Sequence, residues 1–161
     1  MREAELGVGR RWVLVLEPGE ELIGALTAWC GRVGLAQGLV QFFGAFRTMS
    51  LIASRDEVAD PERPLPATVE TRYLEGVGLG SIAASETGTV VHLHASAGVK
   101  DQAAAAYAGH VTAAEVHYTT EVVVQEVTGP AMVLRPDARS YGLNCVFFDE
   151  SAAGAIASSA R

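Results

Sequence analysis

Apolar and polar residues alternate along most of this chain, and the pattern turns clearly helical only once. RRWVLVLEPG reads as a strand ended by a turn at Pro18-Gly19. In the following EELIGALTAWCGRVG, Leu22, Ile23, Leu26, Trp29 and Cys30 recur at helical spacing. Glu20 and Glu21 suit the positive end of that helix dipole, and Gly34 can stop it. LVQFFGAF and RTMSLIAS alternate as two strands meeting near Gly44, or as one bent strand. RDEVADPERPLPA, charged and proline-rich, reads as a surface loop.

Strands then resume. VETRYLEGVGLGSIAAS supplies one or two, TVVHLHAS another, EVHYTTEVVVQEV a long one, and AMVLRP and LNCVFFD two more. A second, short helix fits around Gln102 to Tyr107. Roughly seven to nine strands against one main helix predict an α+β domain.

With 161 residues the chain is long enough for one domain with a real core. Residues 1–10 are expected to be a flexible arm, 11–148 the domain, and 149–161, small and low in complexity, a flexible tail. Hydrophobic residues make up 49% and charged residues 19%, which leaves little charge to cover a monomer and points toward an oligomer; abundant Ala and Gly also raise the apolar count without adding sticky surface.

The net charge is −7, and no basic run exceeds Arg10-Arg11, so the chain offers no stripe for a phosphate backbone. Cys30 and Cys145 are far apart, with no CxxC, which suits a reducing cytosol and two small buried hydrophobes. Charges, glycines and histidines interrupt every apolar run, so no bilayer span is expected and the protein should be soluble and cytoplasmic.

Chemistry concentrates in VVHLHASAGVKDQAAAAYAGH, from Val90 to His110, which holds three of the four histidines. On a strand, His92 and His94 project from the same face, about 6 to 7 Å apart, while Val91, Leu93 and Ala95 point the other way. Two such imidazoles can share a metal, or they can be an ordinary half-exposed, hydrogen-bonded pair. The interval to His110 is long enough, as a loop or short helix, to bring a third imidazole back over the strand. His117 reads as a strand-surface residue, and Asp101 and Glu121 are candidate acid/base carboxylates only through nearness in sequence. There is no GxSxG elbow, and neither cysteine has a neighbouring histidine. The glycines of EGVGLGS lack the helix that a phosphate loop needs behind it and read as a bulge or close-packing feature.

PGEEL before a helix, FFGAF after it, YLEGVGLGSIA, VVHLHAS, AGHV, TTEVVV and LRPDARSYGLNCVFF together resemble the PPC domain, the plant and prokaryote conserved domain, from about Arg11 to Phe148. The resemblance implies a largely antiparallel sheet, a homotrimer, and a divalent metal, zinc in the first instance, held by His92, His94 and His110. It also implies a fold similar to that of α-acetolactate decarboxylases, where a zinc on three histidines polarises a substrate carbonyl, so a lyase or hydrolase acting on a small carbonyl compound is one alternative. A DNA-associated module is another, since plant members carry AT-hooks. Here no Gly-Arg-Pro core stands among basic residues, and direct nucleic-acid binding is not expected. Where the family commonly has GGH this chain has Ala108-Gly109-His110, a harmless change if position 108 keeps a negative φ. Self-association and a small-molecule ligand at the metal are the partners implied, with catalytic residues and substrate left open.

Overall fold

The computed structural model describes residues 1–52 and 69–149. RDEVADPERPLPA and residues 150–161 of the expected tail lie outside the described residues. The described chain runs β1 (Gly7–Leu16), α1 (Leu22–Val33), β2 (Gly38–Ile52), β3 (Val69–Ser85), β4 (Gly88–Val99), β5 (Ala106–Gly129), β6 (Ala131–Pro136) and β7 (Asn144–Asp149), with short 3₁₀ turns at Lys100–Gln102 and Ala138–Ser140. This is the expected mixture of one α-helix and a mainly antiparallel sheet.

The helix begins where its caps put it. Glu21 is the N-cap rather than a first-turn residue, and its carboxylate accepts from the Ile23 and Gly24 amides at 3.3 and 2.6 Å. The same carboxylate accepts from the Ala114 amide at 3.1 Å, which ties the helix start to β5. Gly34 ends the helix with a φ of 68°. Leu22, Leu26, Trp29 and Cys30 are buried, and Trp29 meets Trp12 of β1 edge-on at 5.1 Å.

LVQFFGAF and RTMSLIAS form one strand, β2, and VETRYLEGVGLGSIAAS forms one, β3. β2 is continuous through Gly44, where register shifts mark a bulge against β5 and a Cβ would fall 2.5 Å from the Thr119 carbonyl oxygen. β5, the longest strand, pairs antiparallel with β1, β2 and β4. Because β2 also pairs with β3, and β3 with β4, these four strands close into a ring. Phe46, Leu93, Val116, Val122 and Val124 are fully buried in the main core.

Beside this ring, β6 pairs with β7, and Ala83, Val127, Met132 and Leu134 make a second, smaller core. The buried Gln37 fixes its position: Nε2 donates to the Val127 and Pro130 carbonyls, both at 3.1 Å, and Oε1 accepts from the Met132 amide at 2.7 Å.

Two sequence expectations are corrected. The alanine-rich interval forms no helix at Gln102 to Tyr107: Ala103 and Ala104 take left-handed backbone, with φ of 51° and 61°, and the chain turns directly into β5. The N-terminal arm is shorter than residues 1–10, since β1 starts at Gly7 and Arg2 is already engaged, pairing with Asp137 and lying 3.9 Å over the Phe147 ring.

A candidate metal centre on β4 and β5

β4 has one core face and one open face. Val91, Leu93 and Ala95 are buried, while His92 is half-buried and His94 exposed on the other side, so strand alternation sets the pair as read from HLH. His110 joins them through strand pairing. It is the direct cross-strand partner of His94, and on its other side it faces Ile52 of β2. The third histidine therefore stands where the ring of strands closes, and is held by backbone ladders on both sides.

The ring centroids lie 5.1 Å (His92–His94), 4.9 Å (His92–His110) and 5.4 Å (His94–His110) apart. One nitrogen from each of the three comes within 4.8 Å of the others. Two imidazole nitrogens on one tetrahedral zinc are about 3.4 Å apart, given bonds of about 2.1 Å, so small side-chain rotations complete the geometry. None of the three rings makes a hydrogen bond or an ion pair among the described residues, which leaves their nitrogens free for a metal. Burial, then the adjacent His110 and His94, holds the His92 imidazole below its ordinary pKa; burial, then His94, does the same for His110. Both shifts favour the neutral ring, the form that coordinates.

Glycines of β3 let β4 sit this way. At Gly80 a Cβ would fall 2.0 Å from the His92 carbonyl oxygen, and at Gly78 it would meet the His94 carbonyl at 2.5 Å and Phe42 at 2.2 Å. EGVGLGS is thus a close-packing feature. Ala108 is not among the residues with positive φ, so the change from GGH leaves the turn geometry intact.

The histidines line a cleft of about 690 Å³. Its walls come from α1, β2, β4, β5, β6 and the start of β7, and include Ile23, Val90, Val111, Leu134, Leu143 and Asn144. Sequence reading missed these wall residues because they are scattered from Ile23 to Asn144 and each looks like any strand or helix apolar position.

The other candidates are elsewhere. Asp101 lines a separate polar cleft with Thr48, Arg72 and Tyr107. Glu121 is exposed in mid-β5, paired with Val15 and Phe43. His117 packs against Tyr73 at 5.3 Å and Tyr118 at 4.0 Å, outside the histidine cluster. Cys30 is a buried hydrophobe whose thiol burial pushes up to about 11, whereas Cys145 is only partly covered; both are free thiols.

A model of the Plants and Prokaryotes Conserved (PCC) domain matches residues 3–128. The chain belongs to this family. Among solved structures, the PCC-domain chain is similar to a plant- and prokaryote-conserved (PPC) protein from Pyrococcus horikoshii, with 20% identity and a TM-score of 0.77, over 91% of this chain and 97% of that one. It is similar to a metal-containing protein from Archaeoglobus fulgidus, at 23% identity and a TM-score of 0.74, over 91% and 99% of the two chains. A Staphylococcus aureus protein of unknown function, described as similar to α-acetolactate decarboxylase, shares the fold more remotely: 14% identity, TM-score 0.51, covering 93% of this chain and 66% of that one. No functionally curated protein matches. Among the described residues, no helix of the PCC-domain chain is long and apolar enough to cross a membrane.

Proposed function

We propose that this PCC-domain protein is a divalent-metal-binding protein in which His92, His94 and His110 hold one ion, zinc by preference, in a cytoplasmic homotrimer. One observation carries the reading: three imidazoles without hydrogen bonds among the described residues converge within 4.8 Å at the edge of an apolar cleft. Three neutral nitrogens suit zinc and leave a fourth position toward the cleft, where the ion would supply Lewis-acid polarisation. The metal-containing Archaeoglobus fulgidus protein of the same fold supports this.

The trimer is supported by the outward face of β2 and β3, which exposes Leu39, Phe43, Val77 and Leu79. That face adjoins a hollow that His94 also lines, so assembly and the metal centre are neighbours.

Elemental analysis of tag-free protein tests the reading. About one equivalent of metal per chain is expected, falling below about a tenth in His92→Ala and His110→Ala. A metal-free wild type that takes up no added zinc overturns it. Whether the ion serves a lyase or hydrolase depends on acid/base groups, and no carboxylate lines the cleft among the described residues. The DNA-associated reading has the weaker support, because the net charge is −7; binding to A·T-rich DNA no stronger than that of an unrelated acidic protein is the expected result.

A further inference from the structure

Charge around the histidines is unbalanced once an ion is present. Imidazoles coordinate as neutral ligands, so a dication keeps both of its positive charges. Most zinc-type sites offset such charge with a carboxylate ligand or a nearby acid. Here neither acidic nor basic side chains line the cleft among the described residues. Val90, Leu134 and Leu143 put hydrocarbon beside the open side, and an uncompensated charge in such a setting is costly. Among the described residues nothing offsets that charge, and a bound anion would supply the balance.

The wall narrows the kind of anion. A phosphate dianion normally needs Arg or Lys to share its charge, and the described wall holds neither. Among the described residues, two polar side chains besides the histidines line the cleft, Thr112 and Asn144. The Thr112 hydroxyl donates to the Ser50 carbonyl at 3.2 Å, so its proton is committed. The Asn144 side chain has no partner among the described residues, and its amide is free to donate to one further oxygen.

We infer, resting on the metal-centre reading, that the cleft binds a small aliphatic carboxylate, with its carboxylate on the ion, its branched hydrocarbon body against Val90, Leu134 and Leu143, and a carboxylate oxygen within reach of Asn144. The site selects for a single negative charge and for a short apolar chain together. Acetate lacks the chain, the corresponding amide lacks the charge, and phosphate has too much charge and no chain.

The test uses full-length, tag-free protein loaded with cobalt(II), whose visible bands report the coordination sphere without any assumed activity. Acetate, 3-methylbutanoate, 3-methylbutanamide and inorganic phosphate are titrated in turn. The expected result is a spectral change with 3-methylbutanoate at a dissociation constant at least about tenfold below those of the other three, in line with burial of its extra carbons. Leu143→Asp, at a position 49% exposed and so tolerant of substitution, places an acid in the wall; it is expected to weaken 3-methylbutanoate at least about tenfold while the cobalt bands persist. Amide or phosphate binding as tightly as 3-methylbutanoate, acetate binding as tightly, or an unchanged affinity in folded Leu143→Asp overturns this inference and leaves the metal centre standing. Absence of cobalt bands in the wild type overturns both.

Discussion

Gly80 shows how much of the site depends on a missing side chain. With the His92 carbonyl oxygen 2.0 Å and Leu93 Cδ2 2.8 Å from where its Cβ would be, Gly80→Ala must push β4 away from β3. A loss of about 1–3 kcal/mol in urea unfolding is expected from such overpacking, together with weaker cobalt binding, because the displaced strand carries two of the three histidines proposed to hold the ion. The histidines themselves set a pH dependence. His92 and His110 have folded-state pKa values below the ordinary one, so the metal-free native state binds fewer protons than the unfolded chain. Their stabilising contribution is present above about pH 6.5 and is lost as pH falls through the lowered values. Urea midpoints measured between about pH 7 and pH 5 should therefore decline more steeply for wild type than for the His92→Asn/His110→Asn double variant, which has no such rings to protonate.

Two polar residues hold the elements that wall the cleft. Gln37 joins the end of β5 to β6, which supplies Leu134, through three hydrogen bonds in a buried setting. Gln37→Ala leaves the Val127 and Pro130 carbonyls and the Met132 amide without their partner, and a cost of about 1–3 kcal/mol is expected, read as a lower thermal midpoint. Glu21 caps α1 and holds it to β5 at Ala114. Most of these elements were legible from alternation and caps, β6 and β7 included, because each strand face or helix stripe is written locally in sequence. The Gln102 to Tyr107 interval was not. Alanine favours a helix in isolation, but β5 begins at Ala106 to complete its ladder with β4, and the left-handed Ala103 and Ala104 make the turn that ladder requires.

Among the described residues, the molecule presents an outward apolar face on β2 and β3 and an apolar cleft, and His94 lies at both. Phe43 is 52% and Leu79 66% exposed, so charge there should spare the fold and act on association. Phe43→Glu and Leu79→Glu are expected to convert a trimer into monomers in light scattering, with secondary structure unchanged by circular dichroism. The sequence by itself determined the strand and helix inventory, the same-face placement of His92 and His94, and the acidic balance that leaves DNA no basic stripe, since all of these depend on neighbours in the chain. Tertiary structure alone decided that His110 stands beside them, that Asp101 and Glu121 do not, and that a wall gathered from α1, β2, β4, β5, β6 and β7 surrounds the three rings. Those relations arise where β5 closes the ring against β2 and β4, and pairing between strands so far apart in the chain leaves no local periodicity to read.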